Sequence, residues 1–314
     1  MENNLIVTSN PHITDNVSTR KLMGNVVISL VPCIIASAMI FGLRALLLTA
    51  VTTAACVGFE YLYCMLMKKP NPVGDLSAVV TGIILAMNFP VTLPLWMGIV
   101  GAFISIVLVK QLFGGLGYNF ANPALVGRIA LFSGFSSAMT NWKFPAAAVD
   151  QLSSATPLQV ADPSALNLMD LFLGVHGGVM GETCALAILI GFVWLVATKT
   201  ISPAIPVTYL ATVAVMSLLC GQNVMVQLLS GGLLFGAVFM ATDYVTSPVT
   251  LKGKIVFGIG LGIITSAIRF WGNMAEGVSF AILLMNLWVP YINDLTHQVP
   301  LGYKKPEKKK EAAK

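Results

Sequence analysis

The chain has 314 residues, of which 56% are hydrophobic and only 10% are charged, and its formal net charge at pH 7 is +5. Because soluble domains usually carry about 25% charged residues, this composition excludes a protein whose whole surface faces water. It indicates instead that lipid surrounds much of the chain. Most basic residues lie at the ends of apolar segments, so the positive charge gives no sign of nucleic-acid binding.

The apolar segments predict ten membrane-spanning helices. A spanning helix needs about 20 mainly apolar residues, and the third segment is short enough to indicate a broken or tilted span. The first 19 residues are polar and contain no basic stretch followed by a short apolar core, so no signal peptide is predicted. The predicted helices occupy residues 22–43, 45–67, 76–89, 92–110, 122–138, 183–198, 203–220, 224–241, 254–269 and 276–292.

The positions of Lys and Arg predict the orientation in the membrane. With ten spans, both termini lie on the same side, and fourteen of the 18 basic residues fall on that side. The opposite side receives only Arg44, Lys143 and Arg269. Because cytoplasmic loops are enriched in Lys and Arg, we predict a multi-pass protein of the cytoplasmic membrane with both termini in the cytoplasm.

Two weak similarities within the chain predict an internal repeat. The segment Thr81–Met87 resembles Phe235–Ala241, and Phe113–Gly115 resembles Phe270–Gly272. Five spans per repeat is an odd number, so the second repeat would be inverted in the membrane. Chance similarity between Gly-rich apolar segments is the alternative. The predicted organisation is an N-terminal segment 1–21, a first five-helix repeat 22–138, an extracytoplasmic loop 139–182, a second five-helix repeat 183–292 and a basic cytoplasmic tail 293–314.

The predicted outer loop contains a run of small and hydroxyl-bearing residues that ends at Pro157. Thr156 has small neighbours, so its hydroxyl is open to a bulky modifying enzyme, and Pro157 disfavours helical backbone at Thr156. Asp150, six positions earlier, could serve recognition by that enzyme. An Asx or Ser/Thr turn before an extended step into proline explains the same residues without any chemistry.

This run resembles the flavin-attachment motif Asp-x-x-Ser/Thr-Gly-Ala-Thr of the RnfD/NqrB family of membrane subunits. Asp150, Ser153, Ala155 and Thr156 match the motif, and Ser154 stands where glycine is usual. Other stretches of the chain are similar to the family in the same order, and its short N-terminus is more similar to RnfD than to NqrB. They are Phe113–Ala124, Phe239–Pro248, Arg269–Gly272 and Glu276–Asn286.

The resemblance implies a subunit of the Rnf complex, a ferredoxin:NAD oxidoreductase that couples electron flow to Na⁺ or H⁺ export, with no complete active site in this chain. It implies that Thr156 carries FMN through a phosphoester bond, within a motif formed with Asp150, Ser153, Ser154 and Ala155. A flavin transferase would attach the FMN on the outer side. It further implies a non-covalent riboflavin among the helices, contact with membrane lipid, and partners that include the other membrane and peripheral subunits and a second subunit with covalent FMN.

Two other classes of protein compete with this interpretation. Inverted repeats with Gly-rich interruptions also suit a channel or transporter for a small solute, although a simple channel has no need of the motif around Thr156. A purely structural assembly subunit would carry no cofactor. Flavin fluorescence of the protein band in a denaturing gel distinguishes both classes from a covalent flavoprotein.

Several charged and reactive residues have more than one interpretation. Arg128 lies inside a predicted span, where a charge is costly unless it is paired or faces a polar cavity, so structural pairing and a cofactor or ion-path role are both open. Helix capping explains Asp75 better than ion binding does. Asp243 could bind a cation or only cap a turn. The cysteines form no CxxC pair, so an iron–sulfur or zinc site is not expected, and no glycine pattern indicates a nucleotide fold.

Overall fold

The computed structural model describes residues 17–70, 72–142, 158, 167–174, 176–272 and 277–297. Within these ranges the chain is helical and contains no β-strand. Five apolar helices are shorter than a full span, and four are long and apolar enough to cross a membrane. The predicted fold class, an all-α polytopic membrane protein, is confirmed. The four long helices are Thr19–Phe41, Leu43–Leu66, Leu251–Trp271 and Val278–Thr296.

Thirteen α-helices are described, and two of them continue directly as π-helices. A short 3₁₀ turn, Val73–Asp75, precedes the third helix. The helices are α1 (Thr19–Phe41), α2 (Leu43–Leu66), α3 (Ser77–Met87), α4 (Leu95–Phe103, continued by a π-helix Ile104–Gln111), α5 (Pro123–Gly134), α6 (Ser136–Met139), α7 (Leu168–Leu173), α8 (Ala185–Ala197), α9 (Ala204–Leu219), α10 (Val224–Leu229), α11 (Leu233–Phe235, continued by a π-helix Gly236–Met240), α12 (Leu251–Trp271) and α13 (Val278–Thr296).

Short polar side chains and a glycine set several helix ends. Ser18 accepts a hydrogen bond from the Lys21 amide at the start of α1, and Thr250 accepts one from the Gly253 amide at the start of α12. Asn122 caps α5 ahead of a proline, a residue suited to the first helical turn. Gly42 ends α1 with φ of 81°, a conformation that glycine adopts readily.

The predicted helix over residues 224–241 is wrong, because this span is broken. The α10 helix ends at Leu229 and α11 begins at Leu233. Gly231 and Gly232 lie between them with φ of 64° and 53°, values that interrupt a right-handed helix. The predicted helix 122–138 is likewise interrupted, at Phe135, where φ is −134°.

The third span is short, as the sequence predicts, and we call α3 and the interrupted span α10–α11 the two broken spans. The α3 helix has 11 residues, and at 1.5 Å per residue it is about 16 Å long, roughly half of the ~30 Å hydrocarbon core of a bilayer. The fourth span begins three residues later than predicted, at Leu95 after Pro94. Its second half is a π-helix, a conformation that is frequent at functional sites.

The helices pack around the broken spans. The most extensive contacts join α9 to α12, α2 to α3 and α4, and α1 to α8. Large side chains from both broken spans lie fully inside, including Leu85, Phe89 and Phe235. Many apolar side chains on the outer faces are exposed, such as Met39 (81%) and Leu43 (82%), which is the pattern expected of surfaces that contact lipid.

Side-chain contacts define two ends of the helix bundle. The Asn25 amide donates to the Thr200 hydroxyl over 3.2 Å, and Thr250 and Thr296 share a hydrogen bond of 2.8 Å. Tyr244, in the turn that leads to Thr250, donates to the Thr200 carbonyl and so brings this turn close to the first contact. The start of α1 and the end of α13 therefore lie at one end. We call it the lysine end, defined by Arg20, Lys21, Lys68, Lys69, Lys199, Lys252 and Lys254.

The opposite end contains the described first and last parts of the long predicted loop. There, Thr92 donates to the Asn141 carbonyl over 2.6 Å. We call it the loop end, defined by residues 88–94, 135–142, 167–174, 176–184 and 219–232 and by the two arginines that contact them, Arg44 and Arg269. The predicted boundaries of the two repeats and of loop 139–182 stay predictions, because much of that loop lies outside the described ranges.

Candidate functional site

The residue after the predicted attachment motif contacts the loop end. Leu158 follows Thr156 by two positions, and its side chain packs against Gly231 so closely that a Cβ atom at position 231 would overlap it. This contact places the chain just after the motif beside the break between α10 and α11. The motif residues themselves lie outside the described ranges; they are Asp150, Ser153, Ser154, Ala155 and Thr156.

Two arginines at the loop end hold the turns next to the broken spans. Arg269 on α12 donates to the carbonyl oxygens of Gln227 (2.7 Å) and Gly231 (2.6 Å). Arg44 on α2 donates to the carbonyl oxygen of Val91 over 2.9 Å, in the turn that follows α3. The Gln227 carbonyl lies in the last turn of α10, where carbonyls lack helical partners and carry partial negative charge, and the Val91 carbonyl lies in a turn. Each guanidinium therefore fixes the position of its turn.

Residues 177–183 of the loop end reach into the bundle and cap α3. The Gly181 amide donates to the Met87 carbonyl over 2.7 Å, and the Met180 amide donates to the Phe89 carbonyl over 3.2 Å. A Cβ atom at position 181 would lie only 2.7 Å from the Met87 Cβ, so this approach requires glycine. His176 precedes the segment, and burial lowers the pKa of its ring below the usual value.

The carboxyl ends of the two broken spans meet inside the bundle. The α3 helix ends at Met87, and the π-helix that continues α11 ends at Met240. Asn88 joins them, because its amide nitrogen donates to the Ile84 carbonyl over 2.7 Å and lies 3.4 Å from the Met240 sulfur. Carbonyls at the carboxyl end of a helix carry partial negative charge, so a positively charged side chain is favoured at this meeting point.

Arg128 on α5 places a fixed positive charge at this meeting point. Its guanidinium donates to Asn88 Oδ1 over 3.1 Å and to the Ser279 hydroxyl on α13 over 2.7 Å, and the residue is only 7% exposed. Asn122, at the start of α5, donates to the Met240 carbonyl over 3.3 Å. The buried arginine therefore connects helices of both predicted repeats.

A second cluster of buried polar side chains lies near the lysine end. Lys110 Nζ is 2.6 Å from Glu60 Oε1, and the two side chains are 3% and 0% exposed. Lys110 also donates to the Ser77 hydroxyl over 2.6 Å, and Ser77 donates to Asp75 Oδ1 over 2.5 Å. Gln111 donates to Glu60 Oε1 over 2.7 Å. Hydrogen bonds therefore connect the partly exposed Asp75 to a fully buried carboxylate.

One oxygen of this buried carboxylate lacks a partner. Glu60 Oε2 makes no hydrogen bond with any described residue. Leaving a buried polar atom unsatisfied costs roughly 1–3 kcal/mol, and more for a charged group. A proton, a water molecule or a small cation at this oxygen would remove that cost.

A narrow cavity of about 70 Å³ is lined by residues of α1, α3, α5, α8 and the π-helix Gly236–Met240. Its walls are mainly apolar, with Ile84 and Phe239 among them, and Asn122, Asp243 and Tyr244 supply polar groups. A smaller neighbouring cavity is lined by Lys110 and Asp243. The Asp243 side chain accepts a hydrogen bond from the Thr246 hydroxyl over 2.9 Å.

The sequence of this chain matches a known family of membrane subunits. Residues 6–302 match the model of the NQR2, RnfD, RnfE family. The chain belongs to that family. The prediction of an RnfD-type subunit is thereby confirmed.

Three relatives show how far the similarity extends within the NQR2, RnfD, RnfE family. The chain is 44% identical to the D subunit of the Na⁺-translocating ferredoxin:NAD⁺ oxidoreductase complex of Acetobacterium woodii, over 99% of each chain. It is 36% identical to the D subunit of the proton-translocating ferredoxin:NAD⁺ oxidoreductase complex of Clostridium ljungdahlii, over 96% of this chain and 97% of the relative. It is also 36% identical to the D subunit of the ion-translocating oxidoreductase complex of Stutzerimonas stutzeri, over 88% of this chain and 90% of the relative.

The structure answers some of the questions left open by the sequence of this family member. Asp75 caps α3, because its carboxylate accepts a hydrogen bond from the Ser77 amide over 2.7 Å. Arg128 is structurally paired with Asn88, next to α3, and with Ser279 on α13. Asp243 has a capping contact with Thr246 and also lines two cavities, so both of its interpretations stand.

Sequence reasoning missed three residues of these buried groups. Glu60 is a lone carboxylate inside the predicted span 45–67, and such residues are functional candidates in membrane proteins. Lys110 falls at the end of the predicted span 92–110, where it is easily taken for a residue at the membrane surface. Asn88 carries no charge, and no pattern in the sequence indicated that it contacts a second span.

Proposed function

We propose that this chain is the RnfD-type subunit of an ion-translocating ferredoxin:NAD⁺ oxidoreductase complex in the cytoplasmic membrane. The observation that carries the proposal is the similarity to the corresponding subunits of such complexes over nearly the whole length of both chains. The chain contributes a membrane part of the complex, and other subunits bind ferredoxin and NAD⁺. Both termini face the cytoplasm, as the distribution of Lys and Arg predicts.

Covalent FMN at Thr156 is the first cofactor of the proposed subunit. The motif Asp150, Ser153, Ser154, Ala155 and Thr156 supports it, with a flavin transferase as the maturation partner. When bound, FMN supplies the ability to accept and donate electrons. The chain supplies attachment and position: Leu158, two residues on, packs on Gly231, which Arg269 holds in place.

A non-covalent riboflavin is the second cofactor in this proposal. The narrow cavity between α1, α3, α5 and α8 has the apolar walls Ile84 and Phe239 and the polar groups Asn122 and Tyr244, but its volume of about 70 Å³ does not fit a flavin ring. The riboflavin is therefore not assigned to this cavity.

Ion passage between the two broken spans is the third part of the proposal. Discontinuous helices commonly place ion sites where their ends meet inside the membrane. Here Met87 and Met240 end the two helices, and the buried Arg128 stands between them. The positive guanidinium opposes free passage of cations, so ion movement requires Arg128 to shift relative to Asn88.

The proposal is tested with the intact complex. The complex is purified through a tag on this chain and reconstituted into lipid vesicles, and reduced ferredoxin and NAD⁺ are added. We expect the other subunits, including a second one with covalent FMN, to co-purify. We also expect NADH formation to drive uptake of Na⁺ or H⁺, each measured separately, and a complex without this chain to drive neither.

A solute channel would give the opposite pattern. The chain alone in vesicles would conduct a small neutral solute, carry no flavin, and leave NADH formation by the remaining subunits coupled to ion uptake. That result would overturn the proposed function.

A further inference from the structure

A second, wider cavity opens at the lysine end, between the α8–α9 turn and the start of α12. Its volume is about 330 Å³, at the lower limit of the roughly 300–1,000 Å³ typical of small-molecule sites. We call it the basic cavity. Its lining includes Lys199, Ser202, Tyr244, Ser247 and Lys254.

The charge of the basic cavity favours an anion. Two ammonium groups line it, and the described residues of its lining include no carboxylate. Neither Lys199 nor Lys254 forms an ion pair with a residue in the described part of the chain. The nearest acidic residue in the sequence, Asp243, lines the adjoining narrow cavity and its smaller neighbour, and it accepts a hydrogen bond from Thr246.

The donors around the basic cavity suit a phosphate group. Ser202 and Ser247 add hydroxyl groups to the two lysines. The α12 helix begins beside them, with no acidic residue in its first turn, so the partial positive charge of its amino end is not neutralised locally. Lysine, hydroxyl groups and a helix start together match the acceptor oxygens of a phosphate.

The surface next to the basic cavity is apolar and is suited to acyl chains. Leu251, Ile255, Ile259 and Ile263 follow one another at four-residue intervals along α12, and they are 62%, 38%, 41% and 47% exposed. Residues at this spacing lie on one face of a helix. Lys254 stands at the lysine end of this apolar stripe.

We propose that the basic cavity binds the phosphate of an anionic phospholipid, whose acyl chains lie along the apolar stripe of α12. A basic pocket between membrane helices at the cytoplasmic side is a known kind of headgroup site. The apolar stripe favours a lipid over free phosphate, which would need only the cavity. This inference does not depend on the redox function proposed above.

The test measures lipid binding to the purified complex. The delipidated complex is titrated with phosphatidylglycerol and, separately, with phosphatidylcholine, and bound lipid is counted by native mass spectrometry. Since each lysine near an anionic membrane surface contributes about 1 kcal/mol, which corresponds to about a 5-fold change, Lys199→Gln with Lys254→Gln should weaken phosphatidylglycerol binding by roughly 30-fold. Phosphatidylcholine should bind weakly to every form.

Two matched variants control for charge and for folding. Lys68→Gln with Lys69→Gln removes two lysines from the same end but outside the basic cavity, and should leave binding unchanged. Lys199→Arg with Lys254→Arg keeps the charge and should retain the lipid. Added salt should weaken the binding, because it screens exposed charges.

Three results would overturn the inference. The first is equal phosphatidylglycerol binding by the wild type and the Lys199→Gln, Lys254→Gln variant. The second is an equal loss in the Lys68→Gln, Lys69→Gln control, which would mean that only the general positive charge of this end matters. The third, from a parallel titration with inorganic phosphate, is binding of phosphate that Lys199→Gln with Lys254→Gln abolishes, without retention of any phospholipid.

Discussion

Individual polar residues in this chain are buried where lipid or protein replaces water, so each one needs a partner. Lys110 and Glu60 satisfy each other over 2.6 Å, and Arg128 donates to Asn88 and Ser279. The stability lost when one partner is removed therefore depends on which polar group is left buried without a partner. This makes single and paired substitutions informative.

Replacing Glu60 with glutamine should destabilise the protein because Lys110 would remain as a buried charge without a counter-ion. Breaking a buried ion pair in this way costs roughly 3–5 kcal/mol, whereas replacing both partners by neutral residues is often neutral. We therefore expect Glu60→Gln to lower the thermal unfolding temperature of the detergent-purified complex. The double variant Glu60→Gln, Lys110→Met should recover most of the lost unfolding temperature.

Ion uptake by the double variant separates two roles of the pair. A purely structural pair predicts that ion uptake recovers together with stability. Recovery of stability without ion uptake would assign the pair a role in transport. A single Glu60→Gln variant as stable as wild type would contradict the importance of the pair itself.

Replacing Thr156 with valine should abolish covalent flavin. Valine has nearly the same size but lacks the hydroxyl oxygen that a phosphoester requires. The measurement is flavin fluorescence of the protein band after denaturing electrophoresis, normalised to the amount of protein. Thr140→Val, an exposed threonine at the same end of the molecule, is the control and should keep full fluorescence. Fluorescence retained by Thr156→Val would place the attachment elsewhere.

At the scale of elements, the two broken spans decide the architecture. Each has a helix that ends inside the bundle, and each needs polar groups from another element to satisfy its ends. Residues 177–183 cap α3 through Gly181 and Met180, and Arg269 holds the turn before α11. Stability therefore depends on loop segments as much as on the long helices.

Gly181→Ala should loosen the cap on α3. The added Cβ would lie 2.7 Å from the Met87 Cβ and 2.9 Å from its carbonyl oxygen, and overpacking of this kind costs about 1–3 kcal/mol. Gly58→Ala is the matched control, because a Cβ there meets nothing within 4 Å. It should leave stability unchanged or raise it by up to about 1 kcal/mol, since alanine is the better helix former. Thermal unfolding of both variants checks this, and equal stability would contradict the close approach.

At the scale of the whole molecule, successive long helices run in opposite directions, and this separates the lysine end from the loop end. Seven basic residues lie at the lysine end among the described segments, against Arg44 and Arg269 at the loop end. This asymmetry is what the positive-inside rule requires if the lysine end faces the cytoplasm.

Cysteine labelling of intact cells tests this orientation. In a background without Cys184 and Cys220, which are partly exposed, we expect an impermeant thiol reagent to modify Asn141→Cys and not Lys252→Cys. Both should react once the cells are broken. Labelling of Lys252→Cys alone in intact cells would reverse the topology.

The sequence by itself determined the fold class, the family and most helix positions of this protein. These follow from composition, from the length of apolar segments and from local motifs, because lipid forces every spanning segment into a helix. The short third span was also visible, since the length of an apolar run limits how far a helix can reach. The proposed flavin attachment at Thr156 rests on a local motif as well.

Only the tertiary structure decided which buried groups meet. Asn88 contacts Met240 across 152 positions of the chain, and Arg128 reaches Ser279 across 151. The break at Gly231 and Gly232 escaped prediction because glycine is also common within membrane helices. Hydropathy measures how apolar a segment is, but it does not record which polar side chains share a cavity. That depends on how the helices pack, so the pairing of Lys110 with Glu60 appeared only in three dimensions.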